Sequence, residues 1–382
     1  MELDHSTCAI PISLLTGFLG SGKTTVLNHL LHHPDLSRTA VVINEFGEIG
    51  LDHELVESST ENMVLLQSGC LCCTIRGDLV QTLHSLSDRR ERGEITAFDR
   101  VIIETTGLAD PAPILHTLMT DGMLSHEFRL DGVITMVDAA AGSASLDAQI
   151  EAVKQVAVAD RILLTKTDLV EPAETKVLEE RLRVLNPAAP IIRAHNGAVD
   201  PSSILEAGLY NPATKSLDVQ SWLKAETYAE PEYHHEHHHH GAADEHAGHS
   251  HHHHDVNRHD ERISAVAYTV NEPIPASLFD VWLETLMVLR GPNILRMKGI
   301  INVVGAPAPF VLHGVQHIFH PPVLLKDWPS DDRRSRIVLI GRDLTDEFLQ
   351  QTFDFLGSAS RRHRAHDGHD DEGHEHGQEV HA

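Results

Sequence analysis

Three of the four cysteines in this chain, Cys70, Cys72 and Cys73, lie within four positions in the segment SGCLCC. Thiolate is a preferred ligand of Zn²⁺ and also binds Co²⁺ and Cu(I). Cysteines this close cannot easily bridge one another, and Cys8 alone remains as a disulfide partner. The spacing therefore predicts a reduced, thiolate-rich metal site with a further ligand from the chain, a client or water. Buried thiols that pack as small hydrophobes are the alternative.

A second motif, GFLGSGKTT, occupies Gly17–Thr25 and fits Gly-x-x-x-x-Gly-Lys-Ser/Thr between a predicted strand and a predicted helix. Its backbone N–H groups and the helix N-terminus would attract phosphate oxygens. Lys23 would reach the β- and γ-phosphates, and Thr24 would ligate Mg²⁺. The alternative is a glycine-rich turn with a chance lysine. The predicted phosphate-binding residues are Gly17, Gly20, Ser21, Gly22, Lys23, Thr24 and Thr25.

In the segment RVIIETTG, a predicted apolar strand ends at Glu104, and Gly107 follows three residues later. A carboxylate at such a strand end can hold the water shell of Mg²⁺, and the glycine amide can sense a γ-phosphate. We therefore expect Glu104 to act in catalysis together with Lys23 and Thr24, unless it is only a surface carboxylate. The sequence shows no evident glutamine that would activate water, so we expect slow hydrolysis that a client stimulates.

The segment LLTKTD resembles the guanine-reading signature Asn/Thr-Lys-x-Asp. The carboxylate of Asp168 can accept hydrogen bonds from guanine N1–H and N2–H₂, a donor pair that adenine does not offer. Lys166 would lay its stem along the base, and Thr165 stands where many GTPases have Asn. A solvated loop is the alternative. The segment around Ala194–Asn196 is a weaker candidate for closing the base pocket.

The cysteines lie between the phosphate-binding motif and Glu104, the interval that rearranges on hydrolysis in P-loop switches. A metal bound there could be held or released according to the nucleotide. The preceding segment NEFGEIGLDHEL offers further switch or auxiliary ligands, each of which is otherwise an ordinary solvated charge. They are Glu45, Glu48, Asp52 and His53.

Short Val/Ile/Leu-rich runs alternate with amphipathic segments up to about residue 220, a pattern typical of a parallel α/β sheet buried on both faces. Beyond the polar, His-rich stretch, apolar runs and two amphipathic segments indicate a small α+β domain. We therefore predict an α/β P-loop NTPase domain with a mainly parallel sheet, a His-rich linker and an α+β C-terminal domain. The predicted boundaries are 1–224, 225–260 and 261–357, followed by a disordered His/acidic tail over 358–382.

Thirteen histidines lie between His234 and His259. Neutral imidazole binds Zn²⁺, Co²⁺, Ni²⁺ and Cu²⁺, so this tract is expected to gather divalent metal, unless it is an inert polar linker. Because imidazole has a pKa near 6.5, its metal affinity should fall towards about pH 5.5.

The formal charge of −26, from 30 Lys+Arg against 56 Asp+Glu, argues against nonspecific nucleic-acid binding. The N-terminal segment lacks a basic region and no long apolar run occurs, so neither a signal peptide nor a membrane span is expected. With reduced thiols, these features favour a cytoplasmic protein.

Gly17–Thr25, NEFGEIGLD, SGCLCC, ETTGLADP and TKTD together resemble the CobW-like family of P-loop GTPases, which is similar to the nickel-insertion GTPases of hydrogenase and urease maturation. The resemblance extends to LRMKG and IVLIGRDL near the C-terminus. It implies low-rate GTP hydrolysis coupled to transfer of a divalent metal, most often zinc, to a client. It also implies that Cys70, Cys72 and Cys73 form the zinc site and that Glu104 is the acid associated with Mg²⁺.

The leading hypothesis is a GTP-dependent metallochaperone that passes Zn²⁺ to a client metalloprotein, with the C-terminal domain helping to recognise that client. Three alternatives remain: delivery of Co²⁺ to cobalamin biosynthesis, a His-rich metal store or sensor regulated by GTP, and a signalling or translation GTPase. The client, the oligomeric state, including a homo-oligomer, and the role of Cys8 are left open.

Overall fold

The computed structural model describes residues 9–44, 64–68, 75–205, 263–319, 322–344 and 347–367. Its first sheet has seven parallel strands in the order β3-β2-β4-β1-β5-β6-β7. These strands are β1 (Ile10–Gly17), β2 (Thr39–Asn44), β3 (Val64–Ser68), β4 (Arg100–Thr105), β5 (Phe128–Asp138), β6 (Arg161–Thr165) and β7 (Ile191–Arg193).

Helices cover both faces of this sheet because its strands are apolar on both sides. Leu14 packs in one cluster with α2 and α3, whereas its neighbour Leu15 packs with α1 on the opposite face. The helices of this unit are α1 (Lys23–Leu31), α2 (Ile75–Glu91), α3 (Ala112–Thr120), α4 (Leu124–Glu127), α5 (Gly142–Ala148), α6 (Ile150–Ala157), α7 (Pro172–Leu185) and α8 (Pro201–Ile204).

The second unit is an antiparallel sheet in the order β11-β10-β9-β13-β8, with β12 paired to β10. Its two helices pack on one face, where the Phe353 ring stacks on Tyr268 with centroids 3.6 Å apart. The strands are β8 (Ile263–Val270), β9 (Ile294–Ile301), β10 (Phe310–Val315), β11 (Ile318–Phe319), β12 (Val323–Leu324) and β13 (Ser335–Arg342), and the helices are α9 (Ala276–Arg290) and α10 (Glu347–Asp367).

The other face of the second sheet packs against the first unit. Leu295 of β9 and Ile340 of β13 share an apolar cluster with Val153 and Val156 of α6. Beside this cluster, Asp160 is 4% exposed and accepts hydrogen bonds from Arg296 and, at 2.8 Å, from Lys298 Nζ. Both cations lie on β9, so one buried carboxylate of the first unit holds two cations of the second.

The charges at this junction shift each other's ionisation. Burial alone would raise the pKa of Asp160, but the neighbouring Arg296 and Lys298 hold it well below its usual range. Burial lowers the pKa of Lys298 to about 8, and the charge of Arg296 acts in the same direction, while Asp160 opposes them. The carboxylate of Asp160 is therefore charged at neutral pH.

The predicted fold class is confirmed, with two differences in detail. Helix α10 continues to Asp367, so ten residues of the predicted disordered tail, 358–367, are helical. That prediction was wrong for this stretch: no Gly or Pro follows Gly357 in it, and Ser360 is buried with its hydroxyl bonded to Leu356 O at 2.8 Å. The apolar run PFVLHGVQHIFH is expected as a strand, but within it β10 and β11 form a hairpin, with Gln316 at φ of 54° in the turn.

Candidate functional site

The phosphate-binding motif lies where β1 ends and α1 begins. Gly20 and Gly22 have φ of 72° and 89°, which favours glycine, and Gly22 directly precedes α1. At Gly17, with φ of 147°, a Cβ would lie 2.5 Å from Met136 O, so a side chain is excluded there. The loop therefore needs its glycines to fold back onto β5 and to present its backbone to a ligand.

Lys23 and Thr24 begin α1 and face the carboxyl edge of the sheet. Lys23 Nζ donates to Gly17 O at 2.9 Å and to Phe18 O at 3.2 Å, so its ammonium lies over the loop. Thr24 Oγ1 donates to Oε1 of Glu104 at 3.2 Å, and Glu104 is 6% exposed at the end of β4. The predicted catalytic residues thus lie together.

These side chains surround a cleft of about 340 Å³. Because parallel strands end at one edge, loops distant in sequence line the same cleft. Among the described residues that line it, Glu104 is the one carboxylate, and there is no histidine or glutamine. The lining residues are Leu19, Gly20, Gly22, Lys23, Thr24, Thr25, Ile43, Glu104, Thr105, Thr106, Gly107 and Lys166.

Gly107 is pressed against the phosphate-binding loop. A Cβ on Gly107 would lie 2.7 Å from the backbone nitrogen of Leu19 and 2.8 Å from its Cα. Only glycine allows this approach, so the loop after β4 and the phosphate-binding loop are in direct contact. A displacement of one loop would therefore displace the other.

Thr165 takes the position at which many GTPases have Asn, and it contacts the phosphate-binding loop. Its hydroxyl donates to Ser21 O at 2.8 Å. Lys166 Nζ donates to Gly20 O and to Asp138 Oδ2, each at 2.7 Å. Asp168 lies outside the cleft lining, exposed in the 3-10 turn Thr167–Leu169.

Sequence reasoning missed Asp138. It is the last residue of β5, as Glu104 is the last but one of β4, and its carboxylate accepts hydrogen bonds from Lys166 Nζ and, at 2.8 Å, from Ala140 N. The available signal was the pattern itself, an apolar strand that stops at a carboxylate on the same edge as the phosphate-binding loop.

The segment after β7 approaches α1. Gly197 has φ of 79°, and a Cβ there would lie 2.9 Å from Thr25 O. Ala194 is buried, and His195 pairs with Ala198 in an isolated antiparallel bridge. The weaker prediction for 194–196 thus falls beside the phosphate-binding helix, although its contact with a base stays a prediction.

The predicted metal ligands Cys70, Cys72 and Cys73 lie outside the described residues, as do the auxiliary candidates in 45–53 and the histidine tract. Within the part of the chain that the structure describes, no three His, Cys, Asp or Glu side chains form a group that could hold a metal ion. Searched in the same ranges, no helix is long and apolar enough to cross a membrane.

Fold and site together define a P-loop nucleotide-binding protein with a separate antiparallel-sheet domain. Residues 11–193 match the family described as CobW/HypB/UreG, nucleotide-binding domain. Residues 263–356 match the cobalamin synthesis protein cobW C-terminal domain.

Among its relatives, the zinc chaperone YjiA of Escherichia coli is 32% identical over 344 residues, which are 90% of this chain and 98% of that protein. The zinc chaperone CobW of a Sinorhizobium species is 30% identical over 88% of this chain and 94% of its own length. A fission-yeast relative, the zinc-regulated GTPase metalloprotein activator 1 of Schizosaccharomyces pombe, is 33% identical over 57% of this chain and 54% of its own. The chain therefore belongs to the CobW/HypB/UreG family.

The structures agree with this assignment. The crystal structure of Zn(II)-bound YjiA GTPase from E. coli aligns with a TM-score of 0.66 at 27% sequence identity. The alignment covers 91% of this chain and 99% of that one, so both the parallel and the antiparallel sheet have counterparts there.

Proposed function

We propose that this protein is a GTP-dependent zinc chaperone, which binds and slowly hydrolyses GTP and couples this cycle to transfer of Zn²⁺ to a client metalloprotein. Two relatives that align with most of the chain are named zinc chaperones. The proposal assigns the nucleotide to the cleft and treats Zn²⁺ as the cargo.

The phosphates would lie on the loop from Gly17 to Gly22, where backbone N–H groups and the start of α1 favour negative charge. Lys23, already held above this loop by two carbonyls, would exchange them for phosphate oxygens. The base would lie along Lys166 and meet Asp168, whose carboxylate accepts the guanine N–H groups.

The donor set fits Mg²⁺. The Thr24 hydroxyl and the Glu104 carboxylate are oxygen donors that meet at 3.2 Å, and Mg²⁺ prefers such ligands together with phosphate oxygens. When bound, the ion would neutralise charge that develops on the transferred phosphate. Thr24 would ligate it and Glu104 would orient its water shell.

The lining of the cleft supports the proposal of slow hydrolysis. Among its described lining residues, Glu104 is the sole group that could take a proton from water, and in this proposal its carboxylate is engaged with the ion. Gly107 would offer its amide to the γ-phosphate, which binds the nucleotide without activating water.

The observation that carries the coupling is the position of β3. In the parallel register Ser68 pairs with Asn44, and Asn44 pairs with Thr105, which lines the cleft. Ser68 is the last residue of β3, and Cys70 follows two residues later in the sequence. The described end of β3 therefore lies at the nucleotide edge of the sheet, which supports the proposed coupling.

Zinc affinity measured by competition with a chelator tests the proposal. Deleting residues 232–260 removes the histidine tract, and the full chain is run alongside. We expect one tight ion that depends on Cys72, as Cys72→Ser shows, with affinities for Mg²⁺·GTP analogue and Mg²⁺·GDP states that differ by about tenfold or more. Equal affinities in both nucleotide states would reject the chaperone and favour storage or signalling.

Cobalt delivery to cobalamin synthesis is the second candidate, because the C-terminal family is named for that pathway. Thiolate-rich sites accept both ions, so the same titration with Co²⁺ separates the two candidates by which ion shows the nucleotide-dependent affinity. A cytoplasmic location, the boundaries 1–224, 225–260 and 261–357, and a homo-oligomer remain predictions that this experiment does not address.

A further inference from the structure

Gln155 of α6 is a buried polar residue with a specific pair of partners. Its side chain is 1% exposed, and Nε2 donates to Gly107 O at 3.1 Å and to Ala109 O at 3.0 Å. Both acceptors belong to the loop after β4 that touches the phosphate-binding loop. A buried amide with two backbone acceptors fixes the course of that loop, because losing it would leave both carbonyls unsatisfied.

The same loop has a second attachment to α6. Lys154 Nζ donates to Asp110 Oδ2 at 2.7 Å, and the other carboxylate oxygen of Asp110 accepts from Ala112 N at 3.0 Å, at the start of α3. On its opposite side, Gly107 packs on Leu19. The loop is therefore held between the phosphate-binding loop and α6.

The same end of α6 is connected to the C-terminal sheet. Asn186 Nδ2 donates to Val156 O at 2.8 Å and to Ala159 O at 2.9 Å, which fixes the end of the helix. Asp160 follows directly and binds Arg296 and Lys298 of β9. Gln155 and Asp160 are five residues apart in sequence, so the last turn of α6 and the residues that follow it form a short connection between the two attachments.

We infer that Gln155 is a positioning residue that couples the nucleotide in the cleft to the docking of the C-terminal sheet, through α6. The inference rests on the proposed function, since it needs a guanine nucleotide at the phosphate-binding loop. A γ-phosphate bound by the Gly107 amide would shift this loop, and Gln155 would carry the shift into α6. By reciprocity, the docked sheet would alter the affinity for GTP relative to GDP.

Gln155→Leu tests this in the full chain, because it keeps the side-chain bulk and removes both hydrogen bonds. We expect affinity for a Mg²⁺·GTP analogue to fall about tenfold or more, with that for Mg²⁺·GDP changed less than about twofold. In wild type, hydrogen exchange in β9 should differ between the two nucleotides, and the variant should lose that difference. The matched control is Arg181→Met, which breaks a 2.7 Å bond to Asp147 elsewhere in the same unit.

If Gln155 has a merely structural role, Gln155→Leu would weaken the binding of both nucleotides alike and leave the ratio of their affinities unchanged. That result would overturn the inference. Lys298→Met tests the attachment to the C-terminal sheet. Lys298 lies on β9 and is not among the residues that line the cleft, yet its substitution should change the same ratio of GTP to GDP affinity. Should Gln155→Leu fail to fold, Lys154→Met, which removes the bond to Asp110, takes its place with the same expectation. If wild type binds no guanine nucleotide, the proposed function fails as well. If wild type binds guanine nucleotide and the variants leave the ratio of GTP to GDP affinity unchanged, the coupling alone is rejected.

Discussion

Thr24 and Glu104 meet across the cleft, with the threonine hydroxyl donating to the carboxylate at 3.2 Å. They are 80 residues apart in sequence. Their meeting follows from the parallel register, which sets Leu15 of β1 beside Glu104 of β4. The start of α1 and the end of β4 thus place a hydroxyl and a carboxylate where the proposed phosphate and metal ion would be held.

Glu104→Gln should weaken the Mg²⁺ dependence of the site. The amide keeps the size but offers no negative charge to the ion's water shell, so we expect a loss of about 10- to 100-fold in Mg²⁺ affinity or GTP hydrolysis. Titrating Mg²⁺ in the presence of a fluorescent GTP analogue measures the Mg²⁺ affinity. Asp99→Asn, at an exposed carboxylate that pairs with Arg38, is the control. An unchanged Mg²⁺ dependence in Glu104→Gln would remove that residue from the site.

Asp168→Asn should change base preference. An amide at this position can no longer accept from both guanine N–H groups, whereas its N–H₂ can donate to the 2-oxo group of xanthine. Losing hydrogen bonds to a charged group costs about 1.5–3 kcal/mol, or roughly 10- to 100-fold in GTP affinity. Competition between GTP and xanthosine triphosphate measures this change in base preference. A uniform loss of both nucleotides would indicate damage to the loop, not altered base reading.

Gly197→Ala should destabilise the first unit and loosen nucleotide binding. Gly197 combines φ of 79° with a Cβ position 2.9 Å from Thr25 O. Strained backbone of this kind costs about 1–3 kcal/mol, and the close contact adds to it. Gly93→Ala is the matched control, because Gly93 has φ of 68° but nothing within 4 Å of its Cβ position. If denaturant unfolding shows that Gly197→Ala and Gly93→Ala lose the same free energy of unfolding, backbone strain alone accounts for the effect.

Asp160→Ala should strongly destabilise the protein. It leaves Arg296 and Lys298 buried beside each other without their carboxylate, and breaking a buried pair in this way costs about 3–5 kcal/mol. Denaturant unfolding at neutral pH gives the free energy of unfolding. Lys176→Ala, at a side chain that is 75% exposed, is the control and should change little. A loss as small as that of the control would mean that water reaches the junction.

Lys298 should make stability rise with pH in alkaline solution. Its pKa is about 8 in the folded protein and 10.5 in the unfolded chain. Between these values the unfolded chain binds a proton that the folded protein releases, so the free energy of unfolding increases with pH. Wild type should therefore gain stability relative to Lys298→Met across this window and show no such gain at lower pH. Parallel profiles of denaturation midpoints for the two proteins would contradict the shift.

The sequence was sufficient for most elements and for the loop between β1 and α1. Val/Ile/Leu-rich runs predicted the buried parallel strands, and the spacing of Gly17, Gly22 and Lys23 predicted the loop between β1 and α1. These features depend on neighbours within one element, so they are visible in a single chain. The helical stretch beyond Gly357 was missed because its polar composition outweighed its helix-forming residues.

Contacts between distant elements were beyond sequence reasoning. Thr165 and Ser21 are 144 residues apart, and Asp160 and Lys298 are 138 apart, so no local pattern joins them. Gln155 likewise looks like any polar residue of an amphipathic helix until the loop after β4 lies against it. Such partners are set by strand order and domain packing, which a single sequence leaves open.

The shared carboxylate at Asp160 also bears on how the chain reaches its folded state. Neither unit can remove its own charges from water alone, because the anion lies on one and both cations on the other. Within the described residues, the apolar face formed by Leu295 and Ile340 is likewise covered by α6 and its neighbours. The two units, although they match two separate families, should therefore melt in a single cooperative transition.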